Sequence, residues 1–263
     1  EIWRINLSFV LLFVALAPVL IDRVPFRKHL FIFTGLYPFV AGWLIFGWFA
    51  LPPVASQDIG GLALTLIIGI TGIAFSLPIG IMLALGRTSN LPVIKILSVL
   101  FIEFIRGVPL IALLFIASTM LNYFMPPGTT FDLLVRVLIM VTLFASAYMA
   151  EVIRGGIAGI PKGQIEAASA AGLSYWKTMY LIVMPQVLKI SIPGIVNTFI
   201  GLFKDTTLVL IIGMFDLLGM GKAALTNLNW AGLHREMYLF VAVAFFFCCY
   251  GMSLYSGYLE RKL

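Results

Sequence analysis

Seven apolar runs follow one another along the chain, at 5–21, 30–51, 59–85, 91–125, 133–150, 181–203 and 237–259. A helix needs about 20 apolar residues to cross a hydrocarbon core, so the spacing predicts an all-α integral membrane protein. Of the 263 residues, 62% are hydrophobic and 11% charged, and the mean hydropathy is +1.09. That leaves too little polar surface to cover a soluble core. A soluble enzyme, a disordered chain and a secreted disulfide scaffold are excluded together. The first run could pass for a secretion signal, but no small-residue cleavage site follows it and a second run comes at once. Cys248 and Cys249 are adjacent in the last run; neighbours on a helix point apart, so they read as packing. His29 and His234 are far apart with no partner motif, and no metal centre is predicted.

Arg and Lys orient the runs, because they collect in cytoplasmic loops. The segments 22–29, 86–106, 154–189 and 258–263 hold 12 of the 17 basic residues, while 50–58 and 122–131 hold none. The C-terminus is therefore expected in the cytoplasm, the chain being multi-pass in its membrane. Seven spans then put Glu1 outside; a helix upstream of Glu1 would make eight. The net charge of +6 belongs to these loops and not to a nucleic-acid surface.

The run 91–125 is interrupted by Glu103, Arg106 and Pro109. An arginine at the bilayer centre costs about 2.5–3.5 kcal/mol on insertion scales. Residues 92–105 are therefore expected along the cytoplasmic interface, with a span at 107–124 and Pro109 in its first turn, where the missing N–H matters little.

The longest polar insertion, between the fifth and sixth runs, contains Gln164-Ile-Glu166-Ala167-Ala168-Ser-Ala-Ala171-Gly172-Leu-Ser174-Tyr175-Trp176. Its alanines favour a short helix at 164–171. Gly172 is a natural C-terminal stop and Ser174 a natural N-cap for the next helix. The alanines make a smooth surface suited to another protein's groove. Glu166 alone could be a first-turn acid complementing the helix dipole. Glu151 and Arg154, three apart, can pair at the inner membrane face, and Tyr175 and Trp176 suit interfacial anchoring.

The spacing Glu166-Ala167-Ala168, three residues, Gly172, nine residues, Ile182-Val-Met-Pro185 resembles the EAA motif of ABC importer permeases. The usual last pair is Leu-Pro, and Met184 departs from it. Arg106-Gly-Val-Pro-Leu110, Tyr148-Met-Ala-Glu151-Val-Ile-Arg154, Pro185-Gln186 and Lys204-Asp205-Thr-Thr-Leu208 look like the polar-amino-acid branch. The resemblance covers about 60–263. It implies a type I importer core of five helices plus a broken gate helix at 57–263, with about two additional N-terminal helices at 1–56. Extra helices of this kind resemble the larger subunit of broad-specificity L-amino-acid importers. Glu166, Ala167, Ala168, Ala171 and Gly172, within a cytoplasmic loop at 154–180, would couple the chain to an ABC ATPase dimer. The other partners implied are a second, related permease, a periplasmic amino-acid-binding protein and membrane lipid, with no nucleic acid. ATP and magnesium would sit on the ATPase. The sequence holds no Gly-x-x-x-x-Gly-Lys-[Ser/Thr] loop, so no cofactor and no catalysis are expected on this chain. Arg106, Glu151, Arg154 and Pro185 would shape its cytoplasmic face.

The sixth run carries Pro185, Pro193-Gly194 and Gly201, and is expected to be a broken helix lining a watery path. Lys204-Asp205 ends it, followed by a short apolar segment at 208–218 expected to be re-entrant. Asp205 could meet an amino acid's ammonium, and broken-helix N–H groups or Lys204 its carboxylate; a plain Lys204–Asp205 pair is the alternative. Relatives that carry cationic amino acids often place an acid seven before this Asp. Here that position is Thr198, after Asn197, and the two suit polar or varied side chains. The same residues also admit two rival readings: an ion-coupled secondary amino-acid transporter using Lys204, Asp205 and Glu151, and an assembly subunit that never touches substrate.

Overall fold

The structure, a computed structural model, describes residues 2–20, 36–37, 40–44, 47, 55–120, 123, 126 and 132–262. Every regular element among them is helical. Four of these helical stretches are long and apolar enough to cross a membrane, or five if one bent pair counts as a single span. Most of the run 30–51, and the end of the span expected at 107–124, lie outside the described residues.

The N-terminal helix α1, Ile2–Leu20, buries Ala15 against Tyr37 and Ala41. The Tyr37 hydroxyl donates to the Ser8 carbonyl at 3.1 Å. Helix α2, Gly61–Thr88, runs through Pro78 without interruption. It packs along α5, Leu133–Ala158. Their approach is close because α2 offers glycine: a Cβ on Gly80 would lie 2.7 Å from the Met149 Cβ.

Between them lies the bend that the sequence predicts. Helix α3, Pro92–Gly107, meets the stretch Leu110–Met120, which opens with α4, Leu110–Phe115, at 101° across Val108 and Pro109. Pro109 caps α4 and is not inside its first turn as expected. Helix α3 buries Ser98, Ile102 and Ile105 on one face, while Leu97, Leu100 and Phe104 stay exposed. A π turn, Ile116–Met120, ends α4. Arg136, buried in the second turn of α5, donates to the carbonyls of Ala117 at 3.0 Å and Ser118 at 2.5 Å. A cation is thereby spent on carbonyls that a helix end leaves open.

After α5 come α6, Lys162–Ala170, the single turn α7, Tyr175–Thr178, a π turn at Met179–Val183, and α8, Met184–Asp205. The expected break at Pro193 is absent, because α8 is continuous from Met184 to Asp205. Packing overrides the proline: a Cβ on Gly194 would lie 2.7 Å from Val152, so α5 presses on the helix where the proline loosens it. Pro185 falls in the first turn of α8, where a missing N–H costs least.

The segment expected as one re-entrant helix is two. A 3₁₀ stretch, Thr206–Ile212, turns at Gly213 with φ +84°, and Asp216 starts α9, Leu217–Ala224. Gly213 is needed because a side chain is strained in that left-handed region. The final helix α10, His234–Lys262, lies against α8. Two buried clusters fill the bundle. One joins Leu64, Leu114, Val137 and Leu202; the other joins Ile102, Met149, Ile153 and Val187.

Candidate functional site

Helix α6 stands out as an exposed surface. Glu166, Ala167, Ala171 and Gly172 are exposed, while Ala168 is buried. The helix packs on the π turn that leads into α8. Its end is a Schellman motif: the Leu173 N–H donates to the Ala168 carbonyl at 3.1 Å and the Gly172 N–H to the Ser169 carbonyl at 3.0 Å. Gly172 adopts φ +76°, the left-handed position that such an end requires. The helix begins at Lys162, two residues before the expected start. Ser174 occupies the N-cap of α7, but its side chain makes no capping bond. Trp176 and Tyr175 are exposed and meet edge to face at 5.3 Å.

Between α5 and α8 an open cleft of ≈ 280 Å³ is lined by Phe144, Ala145, Tyr148, Thr198, Gly201, Leu202 and Asp205. Thr198 and Asp205 share it because they stand seven apart, two turns on one face. Asn197 and Lys204, their neighbours, are exposed and do not line it. The Thr198 hydroxyl donates to the Gly194 carbonyl at 2.8 Å, which leaves its lone pairs for a ligand. The α8 wall therefore offers acceptors, a hydroxyl oxygen and a carboxylate, as an ammonium group requires. The α5 wall is aromatic, with Phe144 and Tyr148 ring centroids 4.9 Å apart.

One turn beyond Tyr148, Glu151 is the hub of a charge cluster. Arg154 reaches it at 3.0 Å, Arg87 at 3.1 Å and Arg106 at 3.8 Å. Arg87 also binds Glu103 at 2.7 Å. The cluster draws together the end of α2, the end of α3 and the last turns of α5. Arg106 also lies 5.4 Å from the centroid of the Tyr148 ring.

Residues 76–263 match the family described as binding-protein-dependent transport system inner membrane component. The chain belongs to this family. It is 50% identical over 262 residues to the inner membrane amino-acid ABC transporter permease protein YhdY of Escherichia coli, covering 99% of this chain and 71% of that one. It is 47% identical to the glutamate/glutamine/aspartate/asparagine transport system permease protein BztC of Rhodobacter capsulatus, covering 100% of this chain and 74% of that one. Its fold matches a chain of a crystal structure titled as an amino acid ABC transporter with histidines. That match has a TM-score of 0.67 and 28% identity, and covers 77% of this chain and 92% of the other. The chain is thus an ABC importer permease, a multi-pass inner-membrane transport subunit of a kind that works with an ATPase and a binding protein.

Two residues of this permease escape a reading of its sequence. Asp216 is fully buried and accepts from the N–H groups of Gly219 at 2.9 Å and Leu218 at 3.3 Å. Its neighbours reach α2: the Gly61 N–H donates to the Phe215 carbonyl at 2.8 Å, and the Leu217 N–H to the Thr65 hydroxyl at 3.1 Å. An acid followed by an apolar turn is an N-cap signal and could have marked it. Arg87 is the second. Nothing near it in sequence indicates that it shares a carboxylate with Arg154.

Proposed function

We propose that this permease imports L-amino acids with broad specificity, taking them from a periplasmic binding protein and moving them through the cleft between α5 and α8. Residues 57–263 act as the permease core and 1–56 as additional membrane helices. Helix α6 docks on an ABC ATPase through Glu166, Ala167, Ala171 and Gly172, with Ala168 seating it on the bundle. Asp205 and Thr198 meet the ammonium group of the substrate. Lys204 and Asn197, which face away, act outside the cleft. A second, related permease completes the path. ATP and magnesium belong to the ATPase, this chain catalyses no reaction, and its C-terminus is cytoplasmic.

One observation carries this reading. The exposed helix that bears the Glu-Ala-Ala surface rests on the π turn Met179–Val183, and that turn runs directly into the helix bearing Thr198 and Asp205. A push on α6 is therefore delivered to the wall of the cleft without crossing a flexible linker. The two relatives named for amino-acid transport supply the substrate class.

The test is purification of the complex in mild detergent from cells carrying its native operon, followed by mass spectrometry and ATPase assay. The expected result is co-purification of an ATPase and a second permease, both lost on Gly172→Asp, with ATP turnover stimulated by amino-acid-loaded binding protein. Retention of full, stimulated turnover by Gly172→Asp overturns the docking surface. Turnover that no amino acid stimulates overturns the substrate class.

A further inference from the structure

Tyr148 belongs to the cleft and to the charge cluster at once. Its ring lines the cleft beside Phe144. It is also the lining residue of α5 nearest the end of that helix that leads to α6. Across the gap stand Thr198 and Gly201. A Cβ on Gly201 would meet nothing within 4 Å. Gly201 contributes no side chain there, so beside Thr198 it is the Tyr148 ring that sets how wide this end stands open.

Arg106 lies over that ring, its guanidinium carbon 5.4 Å from the centroid, within cation–π range. Its ion pair with Glu151 is at 3.8 Å, long beside the 3.0 Å and 3.1 Å contacts that Arg154 and Arg87 make with the same carboxylate. A charge-assisted hydrogen bond is shorter than that, so Glu151 holds Arg106 by loose attraction, and the ring adds a second contact. Arg87, Arg106 and Arg154 together carry one positive charge more than Glu103 and Glu151. Arg106 can therefore leave the cluster while Glu151 keeps two partners.

We propose that Arg106 is a positioning residue for transport: it clamps Tyr148 across the α6 end of the cleft, and withdrawal of the clamp opens the path at that end. The clamp sits on α3, next to the bend at Val108–Pro109, so movement of α3 against α5 would engage and release it. This inference rests on the reading of the cleft as the substrate path.

The experiment uses the whole complex in inside-out membrane vesicles without nucleotide. Cys248 and Cys249 are replaced by serine, and Gly201→Cys, whose side chain enters open space, reports on the cleft. The rate of its modification by a membrane-impermeant maleimide is read. Arg106→Gln and Tyr148→Leu are each expected to raise the rate about tenfold, the scale of one lost cation–π contact. The double variant should be no faster than either single variant, because both remove the same contact. Arg106→Lys, which keeps a cation over the ring, should recover most of the parent's protection. A mere loss of helix packing would not be rescued by lysine. A reactive reporter whose rate ignores both single variants, or responds to them additively, overturns the clamp while leaving the cleft as a path. A reporter unreactive from both membrane faces in every variant overturns the path reading, and the clamp with it.

Discussion

At one end of α2, Arg87 reaches Glu103 at 2.7 Å and Glu151 at 3.1 Å. At the other end, the Gly61 N–H is tied to the Phe215 carbonyl and the Thr65 hydroxyl to the Leu217 N–H, with the buried Asp216 between them. The same helix is thus fastened twice, by different chemistry. The Glu151 joint is made of charges on side chains that keep some contact with solvent. Such pairs weaken with salt and can exchange partners at little cost. The Asp216 joint is made of oriented backbone N–H groups in a buried place. Leaving those donors unsatisfied is expensive, so this joint does not open by degrees. The Glu151 end is thus held by ion pairs that can exchange, and the Asp216 end by buried hydrogen bonds that are costly to break.

Four substitutions or titrations break or sharpen that contrast. Asp216→Val has the largest expected effect. It strands the Leu218 and Gly219 donors, at roughly 1–3 kcal/mol each, and the yield of folded protein on size-exclusion chromatography should collapse. Glu151→Gln comes next, at about 1–3 kcal/mol, between the values for exposed and buried pairs. Its signature is in salt: thermal stability of the parent should fall as ionic strength rises, whereas in the variant, where cations face one another, added salt should restore stability. An equal response to salt in both would dissolve the distinction between the two joints. Thr65→Val removes the acceptor of the Leu217 N–H and should cost about 1 kcal/mol, a loss insensitive to salt in the same melting assay.

The smallest effect is one of pH. Burial pushes the Asp216 carboxyl above its ordinary 3.8, against the pull of the Gly219 and Leu218 N–H groups and Lys222. In the interval between the ordinary value and the raised one, the folded state holds the proton more firmly than the unfolded state. Stability attributable to this group therefore falls as pH rises through that interval and is level above it. Asp216→Asn should remove that slope from a pH series of melting curves; a slope unchanged by the substitution would place its origin elsewhere.

The parts of the molecule that were legible in the sequence are those decided locally. Gly172 as a helix stop and the bend before Pro109 follow from backbone rules that need only a few neighbours. The pairing of Glu151 with Arg154 follows from helix spacing alone, and so does the common face of Thr198 and Asp205. Asn197 and Lys204 adjoin the path in sequence, yet adjacency on a helix turns a side chain about 100° away. What was not legible depends on distant contacts. Arg87 joins Glu151 only because α2 lies along α5. Pro193 fails to break α8 because Val152 presses on Gly194. The division of 206–224 into a 3₁₀ stretch and a second helix depends on the hydrogen bonds to Gly61 and Thr65.

Gly172 holds one more consequence. A Cβ there would meet nothing within 4 Å, yet φ is +76°. The position objects to a side chain on grounds of handedness, not of room. Alanine and leucine should therefore be resisted almost alike, since the strain of about 1–2 kcal/mol arises in the backbone before any bulk is added. A mirror-image alanine, introduced by chemical ligation, would fit the same turn without strain. The surface proposed to dock on an ATPase would then be intact, and chirality would be the only difference between the two loops.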